Sequence, residues 1–173
     1  MIPDRIVVPA ADETPLAREL PRDHVLRLAA AKAADVASRP DAAGAYVLAA
    51  DTVVACGRRI LGKADDALTA ERFLRLLSGR RHRVYTGVAV AAADGRRAVR
   101  AVTTMVRFKR LSEDDIAAYL AGGEWQGKAG GYAIQGRAEA FVLSINGSWS
   151  NVVGLPLATT LDLLQGLGWR PEP

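Results

Sequence analysis

The sequence predicts an α/β fold, a mixed twisted sheet flanked by helices, and three observations carry this. Helical and extended segments alternate along the chain, one strong hairpin signal interrupts them, and Tyr46 to Ala50 is a continuous apolar run. Alternation favours a sheet covered by helices. A continuous apolar strand is expected where both faces of a sheet are buried.

The elements follow in order. Arg5 to Val8 reads as a short strand, followed by a polar loop through Asp12-Glu13-Thr14. Pro21 suits a first helical position and opens a helix to about Ser38, with Val25, Leu28, Ala29 and Val36 on one face. Tyr46 to Ala50 meets Asp51-Thr52 and resumes at Val53-Val54, with a turn over Cys56 to Arg59. A helix is expected over Ala67 to Leu77, with Gly79 beyond its end. The run Arg80-Arg81-His82-Arg83 reads as a solvated turn. Val84 to Ala93 and Val99 to Phe108 form strands joined at Asp94-Gly95. Ser112 caps a helix with Asp115 as its capping-box partner, ending at Gly122-Gly123. Phe141 to Ile145 is a strand, and Pro156 opens a last helix that stops near Gly166. The tail Pro171 to Pro173 is expected to fray.

Half of the 173 residues are hydrophobic, enough for a real core. The net charge of +4 suits polyanionic ligands, but the arginines are scattered, which argues against a nucleic-acid partner. With Cys56 as the only cysteine, no internal disulfide forms, and neither His24 nor His82 has a partner at zinc-ligand spacing. No apolar run is long enough to span a bilayer, and Met1 to Arg5 is not a signal peptide, so a cytoplasmic location is expected.

Asp51 is the most informative residue. A carboxylate in a buried strand is costly unless it is paired or binds a cation. Glu13 is a second carboxylate, and the two together could hold magnesium or simply be solvated. Lys32 lies on the apolar stripe of its helix, a position that requires snorkelling or an anion. Lys63, after Gly62, is either an exposed turn residue or a phosphate partner. The stretch Gly127 to Gly136 is rich in glycine but is neither a Walker A loop nor a dinucleotide fingerprint. Its glycines allow close approach to a ligand or positive φ. Asn146-Gly147-Ser148 to Pro156 is a second such loop, able to bind an anion or to cap a helix.

Taken together, Asp12-Glu13-Thr14, Arg27-Leu28-Ala29 through Lys32-Ala33, Ala50-Asp51-Thr52-Val53-Val54 and Leu61-Gly62-Lys63 resemble Maf proteins. Leu77-Ser78-Gly79, His82, Thr86-Gly87, the Lys128 to Gly136 loop and Asn146-Gly147-Ser148 to Pro156-Leu157 continue the resemblance in the family's order. The resemblance implies a fold related to inosine triphosphate pyrophosphatases, with a cleft between two lobes and residues 1–173 as one domain. It implies a hydrolase that cleaves a nucleoside triphosphate to monophosphate and diphosphate with a divalent cation, magnesium or manganese. Asp51, Lys32 and Lys63 match the family's catalytic positions, Glu13 and Asp51 its metal positions. Thr52 and Gln135 match the subgroup acting on dTTP and UTP. Homodimers are common in the family. The family's Ser-x-x-Arg loop, which precedes these motifs, has no counterpart in this sequence, so a domain incomplete at its N-terminus is expected, a misassigned start being the favoured reason. The alternatives are a non-catalytic or weak nucleotide-binding regulator of cell division and a pyrophosphatase for non-standard purine nucleotides.

Overall fold

The computed structural model describes residues 3–170. The expectation for Pro171 to Pro173 lies outside them. The elements are α1 (Pro21–Ala37), β1 (Val47–Cys56), β2 (Arg59–Leu61), α2 (Ala67–Leu77), β3 (Arg81–Ala91), β4 (Arg97–Phe108), α3 (Glu113–Ala121), β5 (Val142–Asn146), α4 (Trp149–Val153) and α5 (Leu157–Gly166). Short 3₁₀ turns lie at Pro40–Ala42 and Arg137–Phe141. No helix among the described residues is long and apolar enough to cross a membrane.

The α/β class is as expected, with five strands in the order β2-β1-β3-β4-β5. Within it, β2–β1 and β4–β5 pair antiparallel. The tight turn at Gly57-Arg58 and the β3–β4 turn, closed by Ala92 N–H donating to Arg96 O at 2.9 Å, are too short for parallel neighbours.

The described residues form two compact units: residues 3–51, 86–102 and 155–170, and residues 52–85 and 103–154. In the first, alternate residues of β3 face opposite sides. Ala89 and Ala91 pack with Ala29 and Ala33 of α1, and Val88 and Val90 pack with Leu163 and Leu164 of α5. A strand covered on both faces therefore reads as one apolar run, because neither side needs polar residues. Gly87 lies on the α1 side, where a Cβ would overlap the carbonyl of Val25 in the helix backbone. Gly87→Ala is expected to cost about 3 kcal/mol, since backbone cannot swing aside as a side chain does; a urea unfolding curve checks this.

In the second unit, α2, α3 and the strand segments enclose a core of Val54, Leu74, Leu77, Phe108, Tyr119 and Phe141, among others. Asp66 caps α2, its side chain accepting from Thr69 N–H at 2.6 Å. Ser112 and Asp115 form the expected capping box of α3. Cys56 is half-buried against this core.

Two expectations are corrected. Arg5 to Val8 is not a strand. Ile6 and Val8 are 90% and 85% exposed, so the segment has no apolar face to bury, and its backbone is tethered by side chains instead. Arg39 Nη2 donates to Val8 O at 3.1 Å, and Ala10 N–H donates to Asp35 Oδ2 at 3.0 Å. Arg81 to Arg83 is not a turn but the start of β3, with His82 buried and both arginines exposed. The strand's period of two places the arginines outward, so a basic run and a buried core residue coexist.

Candidate active site

Three of the residues singled out in the sequence converge in the first unit. Lys32 Nζ lies 2.6 Å from Glu13 Oε1 and donates to Asp51 Oδ1 at 2.7 Å. The side chains of Lys32 and Asp51 are 12% and 10% exposed, so this pair is largely withdrawn from water; that of Glu13 is 48% exposed. The lysine on the apolar stripe is thus accounted for by two anions. Asp51 does not interrupt the strand but sits within a continuous β1. Burial acts to depress the Lys32 pKa, but hydrogen bonds with Asp51 and Glu13 outweigh it and hold the ammonium above its usual range.

Two carboxylates and one ammonium sum to a charge of −1. Because Glu13 and Asp51 both bond to one ammonium, their oxygens lie close enough together to share a small cation beside it. Among the described residues no group of three or more His, Cys, Asp or Glu gathers as a metal cage. A pair suffices for magnesium, which keeps several waters and takes one or two carboxylates with substrate phosphate. The donor set fits the expected metal.

Thr52, Lys63 and Gln135 belong to the second unit. Thr52 follows Asp51 along β1, and its hydroxyl donates weakly to Gly154 O at 3.4 Å. Lys63 is exposed and forms a β-bridge with Ala129. Gln135 is exposed after the buried Ile134. The glycine-rich loop folds back on its own unit: Gly130 N–H donates to Gly62 O at 2.9 Å. Gly130 has φ +70°, and a Cβ there would lie 2.9 Å from the Val54 side chain. These glycines serve the local turn and its packing. In the second polar loop, Ser148 caps α4, and the wholly buried Asn151 donates to Val84 O and Thr104 Oγ1. That loop is a cap and a packing joint.

The sequence reading missed a network beside the Glu13 loop. The Glu19 carboxylate is 7% exposed and accepts from Arg27 Nε at 2.7 Å, Arg27 Nη2 at 2.9 Å, His24 Nδ1 at 2.8 Å and Leu16 N–H at 3.0 Å. Its carboxyl is held far below the usual range, above all by Arg27. Arg27 Nη2 also donates to Thr14 O at 3.1 Å. The available signal was Arg27, a charged residue between the buried Val25 and Leu28.

Residues 1–167 match the family described as Maf-like protein. The chain is 61% identical over 167 residues to the dTTP/UTP pyrophosphatase of Paramagnetospirillum magneticum, covering 96% of this chain and 87% of that one. It is 58% identical over 171 residues to the dTTP/UTP pyrophosphatase of Rhodospirillum rubrum, covering 99% of this chain and 80% of the relative. The protein of the same name from Caulobacter vibrioides is 57% identical over 169 residues, with 98% and 86% covered. On the extent of this match, and with relatives more than half identical along almost its whole length, the chain belongs to the Maf-like protein family.

Proposed function

We propose that this chain hydrolyses dTTP and UTP to the monophosphate and diphosphate. The observation that carries the reading is the Lys32 ammonium shared by Glu13 and Asp51 in a largely buried site. Such a cluster recruits a cation and then an anion, in agreement with the activity named for the relatives. Glu13 and Asp51 would hold the divalent cation, magnesium or manganese. When bound, that cation neutralises phosphate oxygens and acidifies water.

Asp51 orients a water molecule toward the α-phosphorus and takes its proton. Its carboxylate suits this role because Lys32 fixes its position through a hydrogen bond of 2.7 Å. Once the substrate's phosphates arrive, Lys32 has a third anion to serve, and with Lys63 it offsets the charge developing on the departing diphosphate. Each ammonium presents three donors that rotate to follow that charge. A nucleotide hydrolase of this kind works in the cytoplasm, where its substrates are, and a homodimer is the expected state.

Gln135 and Thr52 select the base. A side-chain amide offers an acceptor and donors that complement N3–H and O4 of uracil and thymine. Cytosine presents the opposite pattern, and a site built to pair polar groups rejects a base that leaves them unpaired. Gln135→Glu removes the amide donor and is expected to cut UTP turnover by about tenfold or more while narrowing the UTP-over-CTP preference. A panel of dTTP, UTP, CTP and ITP, read by diphosphate release, checks this. An unchanged UTP-over-CTP ratio removes Gln135 from the assignment. ITP as the best substrate replaces the pyrimidine reading with the purine one.

A further inference from the structure

We propose that Glu19 and Arg27 are positioning residues that lock the loop bearing Glu13 onto α1, and so set the affinity of the carboxylate pair for a divalent cation. The inference rests on the reading of Glu13 and Asp51 as the cation's ligands.

The loop has little else to hold it. Residues 10–20 carry no helix or strand, and Leu16 and Leu20 are 59% and 44% exposed, so no apolar burial fixes its course. Its anchors are polar. Ala10 N–H reaches Asp35, Leu16 N–H reaches Glu19, and Arg27 reaches the carbonyl of Thr14, the residue next to Glu13. Arg27 is thus a single planar fork that grips both oxygens of Glu19 and the backbone beside Glu13. A guanidinium fixes direction as well as distance, which an ammonium does not. His24 completes the grip, donating Nδ1–H to a carboxylate that only accepts. Withdrawing an ion pair from water brings little net stability compared with apolar packing. Its value lies in geometry: Glu13 is held where Lys32 and Asp51 can meet it.

The test uses the full chain and Mn²⁺ alone, with binding measured by calorimetry in the absence of nucleotide and thermal unfolding followed in parallel. Arg27→Lys keeps the charge and loses the fork. Glu19→Gln keeps the shape and loses the charge. Each is expected to weaken Mn²⁺ binding by about 10–100-fold, the usual cost of disturbing a partner behind a metal ligand. In a Glu13→Gln background, Arg27→Lys is expected to add nothing further, because it acts through Glu13. A folded Arg27→Lys that binds Mn²⁺ like the unaltered protein overturns the inference, as does a loss that multiplies with Glu13→Gln. If Glu13→Gln by itself leaves Mn²⁺ binding unchanged, the ligand assignment fails first and the inference falls with it.

The unaltered chain supplies a second readout that needs no variant. Arg18 is exposed in this loop with a backbone φ of +63°. Mn²⁺ is expected to slow tryptic cleavage after Arg18 if cation and loop are coupled. A cleavage rate indifferent to Mn²⁺ overturns the coupling.

Discussion

Asp51→Asn is expected to lower turnover of dTTP and UTP by about two to four orders of magnitude, the range for losing a positioned general base. The substitution keeps the side chain's size, and Asn Oδ1 still accepts from Lys32, which also retains Glu13 at 2.6 Å. What disappears is the negative charge and the ability to take a proton. The loss should therefore fall on kcat more than on KM, as for an interaction made mainly in the transition state. Steady-state kinetics at saturating Mg²⁺ or Mn²⁺ separate the two, and added cation should not restore the rate. A loss confined to KM and cured by excess cation would make Asp51 a cation ligand and not the base.

The second large effect concerns pH. His82 is 2% exposed, with Nε2 2.8 Å from the hydroxyl of the buried Tyr132 and its ring edge-on to Phe108 and Tyr132. Its Nδ1 has no hydrogen-bond partner. The cheaper arrangement has Nε2–H donating to Tyr132, which leaves only a lone pair unpaired at Nδ1. Burial pushes the His82 pKa down to about 4 from its ordinary 6.5.

In the unfolded chain His82 takes a proton as pH falls through 6.5, while the folded chain refuses it until about 4. The unfolded state binds more protons across that window, so stability rises with pH. The contribution is complete above 6.5 and lost on acidification toward 4, by about 3 kcal/mol in all. Between pH 7 and pH 5 the loss is about 2 kcal/mol, a substantial part of a stability of ordinary size. Urea unfolding at the two pH values should show it. His82→Gln keeps a partner for Tyr132 and does not titrate, so this share of the pH dependence should vanish. An equal slope in both proteins would place the acid sensitivity elsewhere.

What the sequence revealed and what it concealed follow from how local each signal is. The limits of α2 were legible because its apolar residues recur at helical spacing and Gly79 follows the end. Lys32 was legible because an ammonium on an apolar face demands an anion, and the structure supplies two. Asp51 was legible as a charge in a strand, although it does not break β1. The start of β3 was hidden because arginines dominate the local composition while every second side chain decides burial. Glu19 and Arg27 were hidden because their bonds cross eight positions, from a loop into the second turn of α1. In the glycine-rich loop, Gly130 itself answers to Val54. Tight packing and ligand approach require the same residue type.

The most direct measurement is the fate of labelled water. The full chain is incubated with dTTP, Mg²⁺ and H₂¹⁸O, and the products are separated and weighed. The expected result is dTMP and diphosphate in equal amounts, with the heavy oxygen on dTMP, and the same products at a greatly reduced rate from Asp51→Asn. Release of dTDP and orthophosphate, label on the diphosphate, or no turnover by the unaltered protein would contradict attack at the α-phosphorus by a water held at Asp51.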